Sequence, residues 1–174
     1  MRPPSLKTYT IMTETTNNLR SRTSKWFECS VKYQKMLDDG TDKMTTEHYV
    51  VDALSFTEAE SSIIENMKPY IFGDFHVTDI HPAAYTEVFF NEQYNADRWY
   101  KVRIAFVTID EKTGKEKKSY SRYLVNASCL NEALKSIDKA FADTMLDYQS
   151  VNISESTILD VFEHKVKEER INGD

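Results

Sequence analysis

The chain carries one pattern twice, and that duplication limits what it can fold into. Trp26-Phe27 and Trp99-Tyr100 each open an alternating stretch. A glycine-containing turn, a second alternating stretch, an amphipathic stretch and a late Val-Phe pair follow, the pair being Val88-Phe89 or Val161-Phe162. In the first stretch Phe27, Cys29, Val31 and Tyr33 point one way and Trp26, Glu28, Ser30 and Lys32 the other. Tyr100, Val102, Ile104 and Phe106 recur 73 positions later. Period-two alternation is what a sheet with one buried face requires. Asp38-Asp39-Gly40 and Lys112-Thr113-Gly114 supply turn chemistry, because glycine accepts positive φ and aspartate bonds its own backbone. Beyond the turns, Tyr49, Val51 and Ala53 match Tyr123, Val125 and Ala127 at a spacing of 74, so the second hairpin is one residue longer.

Ser55 with Glu58 three residues later is a capping-box spacing, and Phe56, Ala59, Ile63, Ile64 and Met67 form an apolar stripe that Pro69 helps to stop. The second copy repeats it with Leu130, Ala133, Leu134, Ile137, Phe141 and Met145, and Glu132 stands where Glu58 does. Residues 75–90 hold two strand-like pieces around His81-Pro82, and residues 148–164 correspond to them. A helix from Glu155 to Glu169 is the rival reading of that last segment. The match to Tyr85, Glu87 and Phe89 favours a strand at its start. The predicted fold class is α+β: duplicated β-β-α-β units forming one compact pseudo-dimeric domain with antiparallel sheet. Its parts are a flexible N-terminal segment (1–25), a first repeat (26–90), a connector (91–98), a second repeat (99–164) and a flexible tail (165–174).

An apolar fraction of 40%, with only four Gly and four Pro in 174 residues, argues for folded material with disorder confined to the ends. No apolar block is long enough for a signal peptide core or a membrane span. Cys29 and Cys129 belong to no paired motif and predict two reduced, partly buried thiols. A cytoplasmic location with no membrane partner is the resulting expectation. The net charge of -6 is unevenly spread: +4 over residues 1–25, -9 over 26–98 and -1 over 99–174. The repeats share interiors and differ in surface, which suits distinct partners or head-to-tail self-association.

Chemistry-bearing motifs are sparse. His48, His76, His81 and His164 form no compact ligand set, and no nucleophile elbow, phosphate loop or dinucleotide fingerprint occurs. Asp79 and His81, with Asp74 and His76 nearby, make a crude carboxylate-imidazole patch whose expected role is structural. No catalytic residue, metal or cofactor is assigned. Protein binding, as an adaptor or structural protein, needs the fewest assumptions, with Trp26, Trp99, Phe90 and Tyr94 either as exposed aromatic area toward another protein or a second copy or, for several of them, as closure of a sheet edge or of the seam between the repeats. The alternative is nucleic-acid binding. Lys101 and Arg103 lie on the outward face of one strand, Lys112, Lys115, Lys117 and Lys118 around its hairpin, and Arg122 across it. Tyr120 offers a stacking ring, and Arg20, Arg22 and Lys25 add charge.

The segments Trp26-Phe27-Glu28-Cys29, Val51-Asp52-Ala53-Leu54-Ser55-Phe56-Thr57-Glu58-Ala59 and Tyr85-Thr86-Glu87-Val88-Phe89-Phe90 resemble an uncharacterised family of gut Bacteroidetes and their tailed phages. The resemblance runs over most of the chain from Trp26 onward. It implies a bacterial or phage setting, with a phage accessory role as a refinement of the binding reading, and carries no catalytic residues.

Overall fold

A computed structural model of the chain describes residues 24–164 as two half-domains of the same design. The N-terminal segment (1–25), including Arg20 and Arg22, and the tail (165–174), both expected to be flexible, lie outside the described residues, apart from Ser24 and Lys25. The first repeat forms β1 (Lys25–Met36), β2 (Asp42–Ala53), α1 (Phe56–Met67), β3 (Phe75–Ala83) and β4 (Glu87–Phe89). The second forms β5 (Arg98–Ile109), β6 (Glu116–Ala127), α2 (Leu130–Phe141), β7 (Asp147–Glu155) and β8 (Ile158–Phe162). The α+β class and the duplication follow the sequence, each unit being β-β-α-β-β. The break in residues 75–90 comes after Ala83. Pro82 lies inside β3, an edge strand, the position that tolerates a residue without an N–H. Strand β8 occupies the segment where a terminal helix was the rival.

Strand order shows what the duplication does. One sheet runs β3-β1-β2-β8 and the other β4-β6-β5-β7, so each takes its fourth strand from the other repeat. Within a repeat the long hairpins are antiparallel, with Ser30 opposite His48 and Arg103 opposite Arg122. The exchanged β4 runs parallel to β6, with Val88 opposite Leu124. The late Val-Phe pair is the plug that docks. Val88 and Val161 are buried, Phe89 stacks on Tyr123 at 5.6 Å and Phe162 stacks on Tyr49 at 5.9 Å.

Both exchanged arms end on a helix start. The Glu58 carboxylate accepts the Leu54 N–H at 2.7 Å and meets His164 Nδ1 at 2.8 Å. The Glu132 carboxylate accepts the Ser128 N–H at 2.6 Å, the Ser128 hydroxyl and Asn91 Nδ2 at 3.1 Å. His164 and Asn91 are 73 positions apart, as the strands are. Ser55 Oγ caps α1 by accepting the Glu58 N–H at 3.2 Å, but the glutamate reaches back one residue further than a capping box requires. Cys129 replaces Ser55 at the start of α2 and makes no capping bond.

Burial follows the alternation at the strand starts and exceeds it at their ends. Tyr49–Ala53 and Tyr123–Ala127 are buried at every position, so both sheet faces are covered there and the expected single buried face is too simple. In the second half, Ala133 and Ile137 of α2 pack on Tyr100, Val102, Ile104, Tyr123, Val125 and Ala127. Phe141 brings Phe106, Tyr123 and Tyr148 together at 5.2–5.6 Å. Met145, assigned to this stripe from its spacing, lies beyond the helix end and is exposed, because α2 stops at Phe141. The two thiols also differ: Cys29 is buried and Cys129 is exposed.

Candidate nucleic-acid interface

The hairpin β5–β6 sorts its side chains by parity. The positions facing α2 are apolar, and Lys101, Arg103, Ala105 and Val107 fall on the opposite face with Leu124, Arg122, Tyr120 and Lys118 directly across from them. Strand β7 adds Ser154, Asn152 and Gln149 opposite Lys101, Arg103 and Ala105, and a bulge between its Ser150 and Asn152 partners keeps that parity. The Arg103 guanidinium lies 4.3 Å from the centre of the Tyr120 ring, and Lys101 Nζ lies 5.9 Å from that of Tyr85. Lys118 Nζ donates to Gln149 Oε1 at 3.4 Å.

The structure thus brings together Lys101, Arg103, Lys118, Tyr120 and Arg122 of the expected set. Lys117 pairs with Thr108 and faces the other way, while Lys112 and Lys115 sit in the turn. That turn is well made. Gly114, at φ 65°, donates to Asp110 O at 2.8 Å, and Asp110 Oδ1 accepts the Lys112 and Thr113 N–H groups, which hold its carboxyl below the ordinary value. Tyr85 was missed. It reaches this face through strand exchange, with the Thr86 N–H donating to Arg122 O at 2.7 Å, and nothing in its local sequence signals that destination.

Arg103 and Arg122 are directly opposed, exposed and, among the described residues, form no ion pair. Like charges placed across a strand pair oppose folding. The carboxylates of the same face, Asp147 opposite Val107 and Glu116 opposite Ile109, lie toward the hairpin end.

The first half carries different chemistry at the same positions. Glu28 stands where Lys101 does, Ser30 where Arg103 does and His48 where Arg122 does. Ser30 Oγ and His48 Nδ1 are 3.0 Å apart, and His81 bridges Asp79 at 3.0 Å and Glu28 at 3.4 Å. His81 therefore pairs with both Asp79 and Glu28, whereas Asp74 and His76 line an open depression beside Glu60 and Lys68. No group of three or more His, Cys, Asp or Glu side chains among the described residues is arranged to hold a metal ion. Burial, with Asp79 and Glu28 adding to it, pushes the Cys29 thiol up to about 12.

The aromatic set divides. Trp26 and Trp99 are 3% and 4% exposed, so neither provides the exposed surface expected of it. In the second half Phe90 closes edge-on over Trp99 at 5.5 Å. Phe90 itself is 45% exposed and Tyr94 is fully exposed.

Residues 25–164 match the family described as a domain of unknown function, DUF4494. The chain belongs to this family. The match opens with β1 of the DUF4494 fold and closes just after β8, covering both repeats and both exchanged strands. No curated protein matches the chain. Among the described residues of this DUF4494 protein, no helix is long and apolar enough to cross a membrane.

Proposed function

We propose that this protein is a non-catalytic nucleic-acid-binding protein that uses the exposed Arg103, Tyr120 and Arg122 side chains on the sheet face opposite α2 in its second half. The observation that carries the reading is the exposed pair Arg103 and Arg122, directly opposed across the strands, without an ion pair among the described residues and on one face with Tyr120 and Lys101. A bound phosphate backbone relieves the repulsion between the two guanidiniums, and each cation that meets a phosphate releases a counterion. The acidic first half, with Glu28 and Ser30 at the matching positions, provides an internal contrast. Retention of a labelled oligonucleotide by the intact protein should fall steeply with salt. Arg103→Ala with Arg122→Ala should weaken binding and flatten that slope by about two phosphate contacts. No binding at low salt removes the reading.

Phe90 and Tyr94 favour a second reading, an adaptor or structural role toward another protein or a second copy, because they expose aromatic area on one short segment. Affinity recovery of the intact protein from native or infected cells, with and without nuclease, separates the two. A partner retained after nuclease and lost in Tyr94→Ala supports protein binding. For either reading we propose the cytoplasm of a bacterium or phage-infected host as the setting, from the resemblance of most of the chain from Trp26 onward to the bacterial and phage family.

A further inference from the structure

We infer that the exposed Arg103–Tyr120–Arg122 patch of this face takes an unpaired strand, with one base lying on the exposed part of the Tyr120 ring. This deepens the nucleic-acid reading and rests on it. The Arg103 guanidinium already lies over the ring at 4.3 Å, yet Tyr120 remains 52% exposed, which leaves ring surface for a base. A base completes an Arg–Tyr–base stack there, and only a base free of its complement can lie flat on a sheet.

The spacing of the face gives an independent reason. The row containing Tyr120, Ala105 and Gln149 and the row containing Arg122, Arg103 and Asn152 are two residues apart along β5 and β6, with the β7 bulge taking up one extra residue between Gln149 and Asn152. That is about 6.8 Å, roughly twice the ~3.4 Å rise per nucleotide of a stacked duplex strand. An extended strand with splayed bases matches this pitch nucleotide by nucleotide. The small Ala105 separates Tyr120 from Gln149, and the amides of Gln149 and Asn152, which both donate and accept, stand where base edges would fall. Nothing comparable exists in the first half, where Thr46 and Lys32 replace Tyr120 and Ala105.

The test compares three probes of about 12 nucleotides, within the usual site size of such surfaces, on the intact protein at low and moderate salt. They are a single-stranded oligodeoxyadenylate, its duplex and an abasic strand of equal length. Binding is read by fluorescence anisotropy. The single strand should bind about tenfold or more tightly than the other two, Tyr120→Phe should keep the preference, and Tyr120→Leu should lose it. Equal binding of the abasic strand or the duplex overturns the stacked-base inference while leaving phosphate binding intact. Failure of all three probes at low salt overturns the nucleic-acid reading itself.

Discussion

At the scale of single residues, symmetric positions often hold different chemistry. Cys29 sits in the core of the first half with its thiol pushed up by burial, whereas Cys129 replaces a capping serine and faces solvent. A thiol reagent at mildly alkaline pH should therefore modify one cysteine of the native protein and two after denaturation, as counted by absorbance. Two fast thiols in the native state would contradict the burial of Cys29. Glu132 provides a second test. The Ser128 hydroxyl and N–H, with Asn91 behind them, hold its carboxyl below the ordinary 4.5. A depressed carboxyl contributes stability above its unfolded pKa and loses it as pH falls through the folded value. Glu132→Gln should cost about 1 kcal/mol in urea denaturation at neutral pH, and the gap to the parent protein should close below pH 4.5. A gap that persists in acid would mean that the carboxylate charge is not what matters there. These details were only partly legible. Ser55, Glu58 and Glu132 announce helix starts, but Asn91 and His164, which complete the two clusters, lie outside any local motif.

At the scale of elements, periodicity located most of the fold. Alternation placed the hairpins, and the stripes placed both helices, because a side chain's face is set by its own backbone. What periodicity lacks is the partner on the far face. The tryptophans read as exposed aromatics because they oppose the helix side, and they are buried because that side is also covered at the strand ends. The same gap explains the interface. Lys101, Arg103, Tyr120 and Arg122 were visible from parity alone, whereas Tyr85, Gln149 and Asn152 depend on strands that arrive from elsewhere in the chain. The helix stripes give a further test. Ile63 and Ile137 are fully buried at matching places in α1 and α2. Truncating either to alanine should cost about 2–5 kcal/mol in denaturant unfolding. A loss below about 1 kcal/mol would show that the helix is not packed as described.

At the scale of the whole molecule, the exchange of β4 and β8 ties the repeats together through the chain itself. Sequence reasoning assigned each late strand to its own repeat because consecutive elements usually neighbour one another, and a three-residue strand such as β4 carries too little pattern to indicate otherwise. The exchange predicts that separate chains of residues 1–97 and 98–174 fold poorly apart and recover near-native circular dichroism when mixed, because each lacks a strand that the other supplies. Cooperative unfolding of the first fragment as a monomer would show that β8 is dispensable. There is a consequence for synthesis. A ribosome makes the first hairpin early, yet the edge of β2 beside Tyr49–Ala53 stays open until Phe162 has left the exit tunnel, so the half that is translated first is completed last.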